Sequence, residues 1–119
     1  MRSIIDILDL STEELDELIA TALDIIDHPR KYSHICDGLK LATLFFEPST
    51  RTRMSFEAAM YELGGHVISM ASAASSSAAK GESVADTVKV ISCYADIIAI
   101  RHPKEGAALV AANNASIPV

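Results

Sequence analysis

Apolar positions along this chain fall into two periods that alternate. From residue 11 to 27 they recur every three or four places (Leu15, Leu18, Ile19, Ala22, Ile25, Ile26), which predicts an amphipathic helix burying that stripe. Its start is fully signalled. Ser11 can cap, Glu14 completes a capping box, and Leu10 and Leu15 have staple spacing. Glu13, Glu14, Asp16 and Glu17 suit the positive end of the helix dipole, and His28-Pro29 ends the element. Residues 30–40 read as a polar connection with a turn at Gly38. Residues 41–46 (L-A-T-L-F-F) then form an apolar run with the length and aromatic content of a buried strand, ended by Pro48. Residues 49–53 fill a turn, and the helical period resumes. Met54, Ala58 and Tyr61 share one stripe, with Phe56, Met60 and Leu63 beside it, and Gly64-Gly65 supply a left-handed stop.

The alternation continues to the last residue. Residues 66–70 (H-V-I-S-M) predict a second strand, with His66 a surface or structural histidine behind the glycine turn. Residues 82–94 predict a helix with Val84, Val88 and Ile91 in line and Ser83 as cap. Residues 96–100 (D-I-I-A-I) predict a third strand, residues 105–113 an alanine-rich helix, and residues 117–119 the start of a fourth strand. Helices and strands in this order predict an α/β fold, a parallel sheet with right-handed crossovers and helices on both faces. In such sheets ligands bind beyond the carboxyl ends of the strands. Three polar segments fall there: Ser49, Thr50, Arg51 and Thr52 after the first strand, the segment ending in Lys80 after the second, and Arg101 after the third.

Composition bounds the picture. The 119 residues are half hydrophobic and contain few prolines and glycines, which suits one packed core and excludes a disordered chain. The net charge of -6 is local: residues 1–27 hold eight acidic residues against one arginine, and the remainder is close to neutral. No stripe of basic and aromatic residues favours nucleic acid. Cys36 and Cys93 are isolated and lack histidines at ligand spacing, so neither a zinc site nor a disulfide is expected, and Cys36 reads as a small packing residue. The first residues lack a secretory segment and no run is long enough to span a bilayer, so a cytoplasmic protein without membrane contact is expected.

The candidate chemistry is anion binding. G-x-x-x-x-G-K-S/T, G-x-G-x-x-G and G-x-S-x-G are all absent, which argues against a P-loop, a dinucleotide fold and a serine hydrolase. What stands at the strand ends is a set of donors: hydroxyls, helix N-terminal amides, Arg51, Arg101 and Lys80. Such donors hold a phosphate and stabilise charge that grows in a transition state. Arg53, four residues before Glu57, reads as one half of an exposed ion pair. Residues 71–79 (A-S-A-A-S-S-S-A-A) have the composition of a flexible linker, although a lysine at the end of such a loop can close over an anion.

The segment F-F-E-P-S-T-R-T-R-M-S-F-E-A-A-M-Y-E-L-G-G resembles the carbamoyl-phosphate signature of the aspartate and ornithine carbamoyltransferases. K-G-E-S-V-A-D-T and Y-A-D-I-I-A-I-R-H-P-K-E-G-A-A are similar to the aspartate branch. The resemblance implies the N-terminal part of that fold and transfer of the carbamoyl group of carbamoyl phosphate to the amine of L-aspartate, an early step of pyrimidine synthesis. It implies that Ser49, Thr50, Arg51 and Thr52 hold the phosphate and that Arg101 and Thr52 reach the reacting group, making Arg51, Thr52 and Arg101 the catalytic set. It assigns Ser76 and Lys80 to a neighbouring subunit's site in a homotrimer, one that regulatory chains can join, and gives the 71–79 loop a role beyond that of a linker. No metal and no cofactor is implied. The expected unit is a carbamoyl-phosphate-binding domain over residues 1–119, incomplete at its C-terminal end. The amino-acid-binding domain and the family's His-Pro-Thr-Gln segment are missing, so these residues alone are expected to be inactive. Two other readings stay open: a carbamoyltransferase for another acceptor such as ornithine, and a non-catalytic phosphate-binding or assembly module.

Overall fold

A computed structural model describes residues 2–70 and 81–119. After a 3-10 turn at Ile7–Asp9 come α1 (Thr12–Asp27), α2 (Pro29–Tyr32), β1 (Lys40–Phe45), α3 (Thr50–Glu62), β2 (His66–Met70), α4 (Val84–Ile91), β3 (Ile97–Arg101) and α5 (Ala107–Asn114). The three strands form one parallel sheet in the order β2-β1-β3. β1 lies in the middle and is buried along almost its whole length, as its apolar run predicts. Helices cover both faces. Ala42, Leu44 and Phe46 pack with Val88 of α4, Ile98 and Ala111 of α5, while the intervening Thr43 faces Glu57 of α3.

Both ends of the β1–β3 pair are pinned. At the start, Asp96 N donates to Lys40 O at 2.9 Å and Lys40 N donates to Asp96 Oδ2 at 2.8 Å. At the carboxyl end Phe45 is in register with Arg101, and Phe46 N donates to Arg101 O at 2.8 Å. A strand fixed at both ends cannot slip, so the residues that follow β1 and β3 are held side by side. Residues 117–119 also run beside β3, where Ile98 N donates to Pro118 O at 2.9 Å, but they form no regular strand.

The helix caps are the predicted ones. Ser11 and Glu14 make both halves of a capping box at α1, and Ser83 Oγ accepts from Asp86 N at 3.1 Å at α4. Gly64 takes the left-handed conformation (φ 87°) after α3. His66 is exposed, as expected.

Two expectations about buried faces fail. Leu18, Ile19 and Ile26 of α1 are each more than half exposed, because among the described residues this helix packs mainly against α2 and not against the sheet. On α3, Met54, Phe56 and Tyr61 also face outward (57%, 47% and 60% exposed), while Arg53, Glu57 and Met60 face the sheet. The helix is seated through a polar seam that an apolar-stripe argument does not anticipate. The α1–α2 corner is polar too: Asp24 accepts from Lys31 Nζ at 2.6 Å and from the Tyr32 hydroxyl, and His28 Nδ1 lies 2.9 Å from its other oxygen.

Candidate functional site

The site begins where β1 ends. Residues 47–49 turn the chain from the sheet directly into α3, which starts at Thr50. The predicted turn over residues 49–53 is therefore mostly helix: Ser49 is the N-cap, and Thr50, Arg51 and Thr52 form the first turn. Their amides belong to the group that has no acceptor inside a helix. α1 and α4 answer this need with capping side chains and with first-turn acids, Glu13 and Glu14 in α1 and Asp86 in α4, whereas α5, which starts after Gly106, has neither. In α3 the Ser49 side chain makes no capping bond, and the first turn carries no acid. The positive end of α3 is left to whatever anion lies beyond it.

Arg101, the last residue of β3, reaches across the sheet top to this turn. Its Nη1 donates to Ser49 Oγ at 3.2 Å, and its Nε donates to Glu47 Oε1 at 2.6 Å. The pinned β1–β3 register dictates this meeting, since it sets Arg101 opposite Phe45. Behind it, His102 packs on Phe46 with ring centroids 4.8 Å apart, and its Nδ1 accepts from Lys104 N at 2.9 Å. This side-chain bond closes the turn through Pro103 and buttresses the end of β1.

The structure thus brings Ser49 and Arg101 into contact and places Thr50, Arg51 and Thr52 on the adjoining helical turn. Thr50, Arg51 and Thr52 are exposed. Ser76 and Lys80 lie outside the described residues. Such an arrangement offers amides, hydroxyls and two guanidinium groups to a phosphorylated ligand. No cluster of metal-ligating side chains occurs among the described residues.

The family model for the aspartate/ornithine carbamoyltransferase carbamoyl-P binding domain matches residues 2–119. The chain belongs to that family. It is 65% identical over 119 residues to the aspartate carbamoyltransferase catalytic subunit of Lachnoclostridium phytofermentans, and 59% identical over 118 residues to that of Clostridium botulinum. All of this chain is matched in the first case and 99% in the second, but only 39% and 38% of those relatives, so the chain spans about two fifths of their length. Among solved structures it is similar to the catalytic subunit of M. jannaschii aspartate transcarbamoylase (48% identity, TM-score 0.88), covering 99% of this chain and 39% of that one. It is also similar to the aspartate transcarbamoylase of Trypanosoma cruzi in complex with carbamoyl phosphate (34% identity, TM-score 0.90), covering 98% and 38%.

Within this chain, three residues escaped the sequence reading. Glu47 is the first, a carboxylate set among the anion-binding donors. Its position just before Pro48, at the mouth of the predicted site, was the available signal. His102 is the second, legible only as part of Arg-His-Pro. Glu57 is the third, assigned on i,i+4 spacing to an exposed pair with Arg53. That pair exists at 3.6 Å, but its side chains are only 26% and 19% exposed and it is joined to both β1 and β2. No helix among the described residues is long and apolar enough to cross a membrane.

Proposed function

We propose that this chain supplies the carbamoyl-phosphate half of an aspartate carbamoyltransferase, which moves the carbamoyl group to the amine of L-aspartate and releases phosphate. The observation that carries this reading is the contact of Arg101 with Ser49 at the uncapped start of α3. In it, the phosphate lies on the amides and hydroxyls of Ser49, Thr50 and Thr52 and on the Arg51 guanidinium. Arg101 turns from Glu47 to the phosphate, and with Thr52 it donates to the carbonyl oxygen.

The neutral amine then attacks the carbonyl carbon, forming the new C–N bond and placing negative charge on the carbonyl oxygen. Collapse of that intermediate breaks the bond to the phosphate oxygen. The departing phosphate accepts the amine proton, so the protein need not provide a base. Donors already aimed at the oxyanion and the leaving group lower the barrier without reorganising.

The same reading assigns residues 1–119 to one carbamoyl-phosphate-binding domain, with aspartate held by residues beyond it. Ser76 and Lys80 complete a neighbouring site within a homotrimer, and the enzyme works in the cytoplasm. The likeness to carbamoyl-phosphate- and aspartate-bound T. cruzi structures supports the choice of both substrates. Calorimetry with carbamoyl phosphate on wild type and Arg101→Ala tests the site, and carbamoyl-aspartate formation by the full reading frame tests the reaction. Binding without product would leave a phosphate-binding module, and product with ornithine alone would reassign the acceptor.

A further inference from the structure

The α3 helix aims the cradle, yet little apolar contact holds it. Its sheet-facing row is Arg53, Glu57 and Met60, of which only Met60 is buried. Apolar contact is non-directional and would tolerate a helix that rolls or slides. Hydrogen bonds do not. One oxygen of Glu57 accepts from two strands at once: Thr43 Oγ1 of β1 at 2.8 Å and Ser69 Oγ of β2 at 2.6 Å. Arg53 Nη1 donates to Ser69 Oγ at 2.8 Å and balances the carboxylate at 3.6 Å. Thr43 is fully buried, so its hydroxyl has no water to replace a lost acceptor.

We propose that Glu57 is a positioning residue for the anion cradle: by binding Thr43 and Ser69 it fixes the tilt and roll of α3 on the sheet, and with them the aim of the Thr50, Arg51 and Thr52 amides. The proposal rests on the carbamoyl-phosphate reading of that cradle. Glu57 lies seven residues from Thr50, about 10 Å along the axis, so a tilt of about 10° displaces the first turn by about 2 Å. Displacements of about 1 Å suffice to spoil a positioned site.

The test compares carbamoyl phosphate affinity by calorimetry with thermal midpoints for wild type, Glu57→Ala, Glu57→Gln, Thr43→Val and Val88→Ala. Val88 is a buried residue of α4, which lies on the opposite face of the sheet from α3, so Val88→Ala lowers stability without touching the seam. Glu57→Ala is expected to weaken binding about tenfold or more, Glu57→Gln, which keeps the accepting oxygen, about threefold at most, and Val88→Ala not measurably. Thr43→Val should fall between them. Glu57→Ala binding as tightly as Val88→Ala would overturn the proposal while wild-type binding upheld the phosphate site. Should Glu57→Ala not fold, unaltered affinity in Thr43→Val overturns it equally. Wild type that ignores carbamoyl phosphate removes the cradle reading and this proposal with it.

Discussion

Arg101 donates to the Glu47 carboxylate at 2.6 Å while also reaching Ser49, so the guanidinium at the centre of the proposed phosphate site is shared with a fixed negative charge. A dianion entering the cradle must compete with Glu47. The pair is partly exposed (46% and 31%), and exposed pairs are worth only about 0–1 kcal/mol. Glu47→Ala is therefore expected to tighten inorganic phosphate binding by about two- to fivefold, read by calorimetry at low salt. Unchanged or weaker phosphate binding would show that Glu47 orients Arg101 and does not compete for it.

Arg51 stands on the exposed first turn of α3, beside the uncapped amides. A charge-assisted hydrogen bond from a guanidinium is worth about 1.5–3 kcal/mol, so Arg51→Ala should weaken carbamoyl phosphate binding by about ten- to a hundredfold. Arg51→Lys keeps the charge but loses the planar fork, and should recover only part of the loss. The folded state should be nearly unaffected, since Arg51 is exposed. A thermal midpoint that drops with the affinity would assign Arg51 to the scaffold.

Much of the fold was legible because its signals are local. The capping box at Ser11 and Glu14, the left-handed Gly64 and the apolar run of β1 each fix an element by short-range chemistry. The parallel sheet followed from their alternation, and the placing of Arg101 near Ser49 followed from the rule that sites sit at strand ends. Burial was less legible. An apolar stripe says that a helix has a face to bury and does not say where, so the exposed Leu18 and Ile26 of α1 were misplaced. On α3 the error has a different cause: Thr43 and Ser69 on the strands create a polar surface that selects Arg53 and Glu57 over Met54 and Tyr61. Only the register of three elements brings those hydroxyls under one helix face.

The α1–α2 corner should respond to pH on both sides. Asp24 is held well below its ordinary value of 3.8, first by the hydrogen bond from Lys31 and then by those from Tyr32 and His28. A carboxyl with a lowered folded value contributes stability that is complete above 3.8 and is lost as pH falls through the lower folded value. Lys31, raised above 10.5 by the same partner, behaves conversely: its contribution is complete below 10.5 and fades as pH rises through the higher folded value. Asp24→Asn is thus expected to lower the thermal midpoint at neutral pH and to flatten its dependence on pH in the acid range. Parallel curves for variant and wild type would place the acid sensitivity elsewhere, with Asp9 and Glu14, whose carboxyls are also lowered by backbone amides, as the next groups to substitute.

Gly64 and Gly38 provide a matched pair for separating backbone strain from collision. Both occupy the left-handed region, at φ 87° and 79°. A β-carbon at Gly38 would meet nothing within 4 Å, whereas one at Gly64 would strike the Ser33 carbonyl and the Asp37 carboxylate. Gly38→Ala therefore carries only the conformational cost, about 1 kcal/mol. Gly64→Ala adds a clash with backbone that cannot rotate away, and should lose about 2–3 kcal/mol in urea unfolding. The additional loss has a structural route to the site, because relief of the clash must move the chain joining α3 to β2. Equal losses at the two glycines would mean that the segment around Ser33 yields easily and that the end of α3 is not fixed there.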